Sequence, residues 1–445
     1  MAHKQKIQTS NILYFLFVTY LTVLPFEIGP TGRYILSFLL IAVAIRLLSL
    51  QKKENLKILL PELIGLPVVV FLLLLDIIAA VSIIFSPDPF YSTAVYFEEF
   101  FLNSILFLSI VTLMATTPEV IDWQQSLRIA NIVFLIVYIG VMLQWILFPS
   151  HPLFQERSIA SELHTRWDRL FAFGNGCTLF HGIKHTSLFL TLVISFWAVR
   201  AAQAKLSKTG MTIFLMDLFA LISTTRRAAS LAVVAGICAS SILFRHSSRY
   251  LKAALLFFGA LGIFFVISGN GGYFIRENWH LLLHGEVQKA RDQGGSIPLR
   301  INTYKVFSEY IMENPFKPNG LGRKLIKEYR ADLVKKAGLI HGHNTFLNFA
   351  FYMGIQGALT LLCLIICQAR LLWQKWREEP NGEYASLMAV SLIFMLMFWA
   401  TNMFTDGFCH GSATMYWLFT GLSTGVAIRH RLTRRDAAKT YALRL

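Results

Sequence analysis

Charged side chains are scarce in this sequence. Asp, Glu, Lys and Arg make up 15% of its 445 residues, whereas 55% of the residues are hydrophobic. This balance excludes an ordinary soluble globular protein and is typical of a polytopic membrane protein. Acidic residues are the scarcer kind, with 25 Asp and Glu against 41 Lys and Arg, and the formal net charge is +16. Because the basic residues are spread over short loops between apolar runs, they indicate membrane topology rather than a nucleic-acid surface.

Cysteine is rare as well. The chain has five cysteines, and their spacing resembles no zinc site. Cys238, Cys363 and Cys367 lie in apolar runs and are predicted to be small core residues. Cys177 and Cys409 lie outside the predicted spans. A disulfide between those two stays open, because nothing in the spacing selects it.

The sequence also lacks the motifs of nucleotide-dependent and metal-dependent chemistry. It contains no glycine-rich phosphate loop, no clustered carboxylate pair typical of metal-dependent sugar transfer and no convincing Ser/His/Asp set. It shows no internal repeat, low-complexity tract or soluble domain. We therefore expect a reaction that uses no cofactor and no metal ion.

Long apolar runs are what the sequence has in abundance. A membrane span needs about 20 apolar residues. Twelve runs qualify, near 11–28, 33–50, 63–85, 96–115, 129–149, 182–200, 210–224, 229–245, 252–268, 343–368, 385–403 and 411–428. The sequence thus predicts an all-α polytopic membrane protein with about twelve transmembrane helices. We divide it into spans one to nine (1–268), a long outer loop (269–342), and spans ten to twelve with a basic tail (343–445).

The basic residues predict the orientation of these spans. With twelve spans both termini share a side, and every loop expected on that side carries Lys or Arg. By the positive-inside rule that side is cytoplasmic. The opposite side holds the one sizeable loop, 269–342, which is therefore predicted to be periplasmic.

The loop 269–342 has twelve Lys and Arg against seven Asp and Glu. Such an excess predicts an anionic ligand. Helical apolar spacing predicts a helix over 298–313 that stops before Asn314-Pro315, and Asn319-Gly320-Leu321-Gly322 reads as a turn. The spacing of apolar and basic residues over 323–336 predicts a second, basic amphipathic helix of the kind that lies along a membrane interface.

The most informative stretch is His343-Asn344, followed after nine intervening residues by Gly354-Ile355-Gln356-Gly357. A titratable side chain at the mouth of a membrane helix suggests function. The positive end of a helix disfavours imidazolium, and a neutral imidazole suits a general base. His343 could instead be an interfacial or capping histidine, and His341 competes for the role of base. Gly354 and Gly357, placed about three turns into the same helix, are predicted to serve small-residue packing.

Arginines supply the candidate phosphate-binding groups. Arg226 and Arg227 occupy a tight turn between two short spans on the predicted outer side, where a purely topological arginine is not expected. The guanidinium offers a fixed fork of donors that matches phosphate. Arg300, on the polar face of the predicted loop helix, is a further candidate.

A second cationic group comes from the loop 150–181 and the start of the next span. It comprises Arg166, Arg169 and Lys184. One interpretation is that these side chains form a cationic wall that faces a diphosphate; snorkelling at the interface is the alternative for Lys184. Two acidic positions also stand out: Glu98, which could pair with an arginine, and Asp76, which needs a buried partner.

Together these motifs resemble a known family. His343-Asn344 followed by Gly-x-x-Gly looks like the signature of the bacterial O-antigen ligase family. The pattern Arg300, Glu313-Asn314-Pro315-Phe316 and Gly320-Leu321-Gly322 resembles the long periplasmic loop of the wider ligase/polymerase superfamily. Thr225-Arg226-Arg227-Ala228 is similar to that superfamily's Ser-Arg-Gly turn, with a second arginine in place of glycine, so Arg226 and Arg227 are both candidates for its arginine. The resemblance covers the C-terminal half by motif and the first half by topology.

The resemblance implies a fold of the glycosyltransferase C type in the bacterial inner membrane, with the active site on the periplasmic side. It also implies an inverting, metal-independent transfer of O-antigen polysaccharide from undecaprenyl diphosphate to a sugar hydroxyl of lipid A-core. The partners would be that donor, that acceptor and membrane lipids, without nucleic acid. In this scheme His343 is the base, and the arginines and Lys184 hold the diphosphate.

Three other functions stay open. An O-antigen polymerase of the same superfamily would join repeat units, but polymerases tend to have a second sizeable periplasmic loop, and 150–181 is modest. A protein O-oligosaccharyltransferase usually has additional C-terminal sequence. A transporter of anionic lipids would explain basic residues near spans, yet the sequence shows neither inverted repeats nor helices broken near the midplane.

Overall fold

The computed structural model describes residues 2–26, 30–50, 59, 61–147, 183–224, 227–244, 259, 296–339, 342–380, 382–405 and 411–442. Every regular element in these ranges is helical, as the apolar runs predict. The N-terminal helices are α1 (Ala2–Val23), α2 (Pro30–Ser49), α3 (Pro67–Ile84), α4 (Pro89–Val95), α5 (Leu102–Thr116), α6 (Trp123–Leu147), α7 (Ile183–Ala202), α8 (Lys208–Ser223) and α9 (Arg227–Leu243). A π-helical turn, Tyr96–Phe101, joins α4 to α5, and a short 3-10 turn, Pro118–Val120, precedes α6.

The second half contains the loop helices and the last apolar helices. Three helices belong to the predicted loop: α10 (Ser296–Glu313), α11 (Arg323–Tyr329) and α12 (Ala331–Ala337). They are followed by α13 (Thr345–Met353), α14 (Ile355–Glu378), α15 (Ala385–Asn402) and α16 (Gly411–Ala442).

Several helices begin where the sequence supplies a start signal. Pro67 and Pro89 occupy the first turns of α3 and α4, where the missing N–H is not needed. Asp88 caps α4 by accepting from the Tyr91 N–H at 3.0 Å, and Ser207 caps α8 by accepting from the Gly210 N–H at 3.0 Å. Local sequence therefore sets these boundaries.

Six of the described helical segments are long and apolar enough to cross a membrane. They are Pro67–Ile84, Pro89–Thr116, Pro118–Gln144, His185–Ala202, Ile355–Glu378 and Ala385–Asn402. The outer helices expose large apolar side chains, such as Ile77 on α3 and Ile366 on α14. Apolar surface of this kind suits contact with lipid. These helices indicate a multi-pass membrane protein.

The centre of the molecule is formed by α7 and α15, whose side chains are almost all buried. α7 packs against α8, α9 and α15, and α9 in turn packs against α15. α16 lies along α5, where Gly425 approaches so closely that an added Cβ would lie 2.5 Å from the Val111 carbonyl oxygen. α14 packs against α3 and α15.

Helices occupy the predicted spans that the structure describes, which confirms these runs as helical. The predicted span 252–268 lies outside the described residues, apart from residue 259. The count of twelve and the orientation of the loop stay predictions. The prediction of one continuous span over 343–368 is wrong, because α13 ends at Met353 and α14 begins at Ile355.

The helix predicted over 298–313 is confirmed as α10, and residues 319–322, predicted to be a turn, are irregular with bends at Leu321 and Gly322. The single amphipathic helix predicted over 323–336 is wrong. It is broken at Arg330 into α11 and α12, where the Arg330 guanidinium lies 4.2 Å from the centre of the Tyr310 ring. The break lets Ile326 and Leu333 pack into one small core with Phe307 and Phe351, on α10 and α13. Protein therefore covers the apolar side that a membrane interface was expected to cover.

The partners and the burial of several polar and sulfur side chains within the helices can be compared with the predictions. Glu98 accepts a hydrogen bond from the Tyr34 hydroxyl at 3.0 Å, where an arginine was the predicted partner. Asp76 has its buried partner in the Ser104 hydroxyl. The prediction of core cysteines is wrong for Cys238, which is exposed, and for Cys363, which is only half-buried; Cys367 is half-buried and packs against the core. Cys177 and Cys409 lie outside the described residues.

Candidate active site

His343 lies directly before the N-terminus of α13. Asn344 is the capping residue, and its side-chain oxygen accepts from the Leu347 N–H at 3.1 Å. His343 itself has a φ of +46°, in the left-handed region that residues with a side chain rarely adopt. Such a conformation costs on the order of 1–3 kcal/mol and persists only where neighbours impose it. The contacts around His343 therefore define the site.

Tyr304, on α10, is one of these neighbours. Its hydroxyl lies 3.3 Å from the His343 carbonyl oxygen and 3.4 Å from the Met403 carbonyl oxygen, so its proton can be donated to either. Asn344 also donates to the Met403 carbonyl, at 2.9 Å. The histidine is thus joined to α10 and to the segment that follows α15.

Arg300 lies one helical turn before Tyr304 and binds the same segment. Its guanidinium donates to the Phe404 carbonyl oxygen at 3.0 Å. A guanidinium carries five N–H donors, so this contact uses only part of its capacity. Arg300 was predicted to bind substrate; the structure places it in the shell around His343, holding the chain beyond α15.

Further hydrogen bonds fix the start of α13. Asn348 accepts from the Gly342 N–H at 2.9 Å, which turns the chain back before the helix. The Thr345 hydroxyl donates to the Asn402 side-chain oxygen at 3.2 Å, and both residues are buried. The N-terminus of α13 is therefore held against the C-terminus of α15.

Burial changes the protonation behaviour of Tyr304. Loss of solvent raises the pKa of its phenol, and the nearby positive charge of Arg300 opposes this rise only in part. The phenol thus stays protonated at neutral pH and remains a hydrogen-bond donor to the carbonyls beside it.

Gly354 lies at the break between α13 and α14. Its φ of +76° and ψ of 172° belong to a region that is essentially restricted to glycine. The next residue, Ile355, donates its N–H to the Pro315 carbonyl at 2.7 Å, and Gln356 donates to the Phe316 carbonyl at 3.0 Å. Gly354 was predicted to lie inside one helix; it instead gives the turn that attaches α14 to the Asn314-Pro315-Phe316 segment.

Gly357 lies in the first turn of α14, not on the same helix as His343. An added Cβ there would lie 2.5 Å from the Met353 Cβ. The close approach is therefore between α14 and the end of α13. The partner in this packing is the preceding segment of the same chain, across the break.

The structure brings His343 and Arg300 together at the start of α13, and the Gly354 turn lies at the other end of that helix. Arg166, Arg169, Arg226 and His341 lie outside the described residues. Only the backbone is described for two further cations: Lys184 lies in the first turn of α7, and Arg227 begins α9. Convergence of these cations on His343 stays a prediction.

Sequence reasoning missed the polar residues that shape this site. Tyr304 contributes only an apolar ring to the helical spacing of 298–313, and this spacing carries no information on its hydroxyl. Asn344 was part of the motif, and its position directly before an apolar helix could have identified it as a cap. Asn402 carries no signal in the sequence, since its contact with Thr345 joins segments far apart in the chain.

Comparison with known proteins agrees with the motifs. Residues 212–362 match the family model described as O-Antigen ligase, about a third of the chain. This match confirms the family resemblance that the sequence indicates. It covers the Arg226-Arg227 turn, the loop helices and His343. No curated protein sequence matches the chain.

Proposed function

We propose that this chain is an O-antigen ligase of the bacterial inner membrane. It transfers O-antigen polysaccharide from undecaprenyl diphosphate to a sugar hydroxyl of lipid A-core, on the periplasmic side. The mechanism inverts the anomeric centre and uses no metal ion. The family match over 212–362 supports the class of enzyme, and the helices indicate the membrane setting.

The position of His343 carries the proposal. It is the motif histidine, it lies inside the matched region, and its backbone is held in a rare conformation by Tyr304 and the chain beyond α15. Strained backbone at a titratable residue is typical of a reactive site. It also lies directly before α13, the short helix that leads into the apolar helix α14.

In the proposed reaction the acceptor hydroxyl attacks the anomeric carbon of the donor sugar. A bond forms between the acceptor oxygen and that carbon, and the bond from the carbon to the phosphate oxygen breaks. The hydroxyl proton passes to the imidazole of His343, and undecaprenyl diphosphate leaves with the bonding electrons. The diphosphate is already a good leaving group, so the enzyme has mainly to offset its negative charge.

The groups proposed to offset this negative charge are the arginines at 226 and 227 and the cations of the loop 150–181 and the span that follows it. Arg226 or Arg227, with Arg166, Arg169 and Lys184, would hold the diphosphate by charge-assisted hydrogen bonds. Arg300 would act from the loop side, where its remaining N–H donors are available to an anion. His341 is the alternative base.

The loop helices offer a surface for the acceptor. Lys317, Lys327, Lys335 and Lys336 are exposed and form no ion pair among the described residues. Lipid A-core carries phosphate groups, and an exposed cationic surface attracts such a ligand. The small core of α10 to α13 would hold this surface close to His343.

Purified protein tests the proposal directly. In detergent, with polymer on undecaprenyl diphosphate, lipid A-core and a chelator, we expect polymer-capped lipid A-core without any ion gradient. A gene deletion should leave long polymer on the carrier lipid. Accumulation of single repeats on lipid A-core would instead identify a polymerase, and sugar found on protein an oligosaccharyltransferase. Movement of the lipid without a new glycosidic bond would identify a transporter.

Tyr304→Phe should slow transfer with little change in affinity for either substrate. The substitution removes the donor that lies between the His343 and Met403 carbonyls, and a partly exposed hydrogen bond of this kind contributes about 0.5–1.5 kcal/mol. We expect kcat to fall by about two- to ten-fold, since that energy corresponds to about this factor. Tyr329→Phe is the matched control, because Tyr329 is exposed. Equal rates for the two variants would remove Tyr304 from the positioning of His343.

A further inference from the structure

A large groove lies at the end of the helical bundle remote from His343. Its volume is about 1170 Å³, and it opens where α7, α9 and α14 end and α15 begins. Sites for organic ligands typically measure about 300–1,000 Å³, so this groove has room for a molecule of lipid size. None of the predicted site residues lines it among the residues described.

The lining changes from basic to apolar along the groove. At the helix ends lie Lys205 and Arg377, both exposed. Trp373 and Trp376 come next, with ring centres 5.4 Å apart. Further along α15 the lining is aliphatic and includes Leu396, which is 43% exposed. Cations, then tryptophans, then aliphatic side chains follow the order of a phospholipid from headgroup to acyl chain.

The length of α15 shows that this groove and the His343 site lie at opposite ends of the helical bundle. α15 begins in the groove at Ala385 and ends at Asn402, which binds Thr345 beside His343. Its 18 residues span about 27 Å at 1.5 Å per residue, close to the thickness of a bilayer core. The groove therefore lies at the opposite membrane face, which the positive-inside rule predicts to be cytoplasmic.

The charge at the groove is not neutralised locally. Lys205 and Arg377 are the charged residues of its described lining, and neither forms an ion pair with a described residue. Three acidic side chains lie near the lining residues in the chain: Glu378 pairs with Lys375 at 2.7 Å, Glu379 pairs with His430 at 2.6 Å, and Glu383 lines the neighbouring pocket and hydrogen-bonds Tyr384. The mouth of the groove thus complements an anion.

We propose that this groove binds an anionic phospholipid of the cytoplasmic leaflet. Its phosphate lies between Lys205 and Arg377, its glycerol region contacts Trp373 and Trp376, and an acyl chain follows α15 toward Leu396. Basic pockets between membrane helices on the cytoplasmic side bind anionic headgroups in this way. The site is separate from sugar transfer, and its test does not use that activity.

Tryptophan fluorescence of the purified full chain tests the site. Brominated phosphatidylglycerol is titrated in detergent, with brominated phosphatidylcholine as the zwitterionic comparison. We expect saturable quenching by phosphatidylglycerol at lower concentration than by phosphatidylcholine. Lys205→Gln with Arg377→Gln should raise the phosphatidylglycerol midpoint about 30-fold and remove the preference, given the usual contribution of two such cations.

The control pair is Lys208→Gln with Arg431→Gln. Both residues are exposed, lie on the same predicted face and do not line the groove, so the same loss of charge should leave the midpoint unchanged. Equal shifts in the two pairs would overturn the site, as would equal midpoints for the two lipids. Trp373→Phe with Trp376→Phe should remove the saturable quenching; its persistence would place the lipid elsewhere.

Two other occupants are outcomes of the same test. Displacement by excess inorganic phosphate would identify a free-anion site and overturn the lipid. A second outcome is that no saturable quenching is found and that Leu396→Cys can be cross-linked to the predicted span 252–268. The groove is then occupied by this chain's own segment. Either result would contradict the proposal.

Discussion

Replacing His343 by alanine is expected to lower polymer transfer by about 10²–10⁴-fold, the usual contribution of a general base. Without the imidazole, the acceptor hydroxyl must lose its proton to water as it attacks. Diphosphate binding should be retained, because the assigned cations are unchanged. The loss should therefore fall on kcat and not on the affinity for the donor. Transfer rates at equal amounts of folded protein measure it.

His430→Ala is the matched control for this substitution. His430 lies within α16, where it pairs with Glu379 at 2.6 Å at the opposite end of the bundle. Its removal should leave transfer close to wild type. His341→Ala tests the competing base. Normal transfer by His343→Ala, together with loss in His341→Ala, would move the role to His341; normal transfer by both would refute an imidazole base.

The helices were predictable because apolar run length is a strong signal. A run of about 20 apolar residues has few alternatives to a membrane helix, and each predicted run within the described residues is helical. The break at Gly354 was not predictable in the same way. A glycine within an apolar run is compatible with a continuous helix, and the break depends on the distant Pro315 carbonyl that binds Ile355.

The site was predictable only where its features depend on local sequence. His343 was identifiable, because a titratable residue at the start of an apolar run is conspicuous. Its left-handed backbone was not, because that conformation depends on Tyr304 and Met403, far away in the chain. Arg300 was identified from its charge, whereas its bond to the Phe404 carbonyl follows from the packing of α10 against the end of α15.

The basic segment 323–336 shows how one pattern permits two structures. Its apolar spacing suits either an interfacial helix or a helix packed on protein. Contacts with Tyr310 and Phe351, which lie outside the segment, select the broken helix. Tyr310 contacts the Arg330 guanidinium at the break, and Phe351 belongs to the small core that contains Ile326 and Leu333. Periodicity within a segment does not contain that information.

Gly322→Ala is expected to detach the loop helices from the membrane helices and to lower stability by about 2–6 kcal/mol. Gly322 has a φ of +103°, and an added Cβ would lie 2.7 Å from the Tyr91 ring and 2.9 Å from Val95. The backbone conformation and the overpacking each cost about 1–3 kcal/mol. The Lys324 ammonium lies 5.4 Å from the centre of the Tyr91 ring, so a shift of that ring to admit the Cβ would also disturb this contact.

Gly322 determines more than its own conformation, since the loop meets α4 at this point. Leu321 is fully buried and donates its N–H to the Ser92 hydroxyl at 3.1 Å, and Lys324 lies 4.0 Å from Asp88. Gly322→Ala must separate these contacts, so α10 to α12 should become sensitive to protease and transfer should fall together with stability.

Gly140→Ala is the control. Gly140 lies within α6 with open space around its Cβ position, so alanine there should stabilise by about 0.5–1 kcal/mol. Thermal unfolding in detergent compares the variants, and equal unfolding temperatures would mean that the loop does not depend on this close approach to α4.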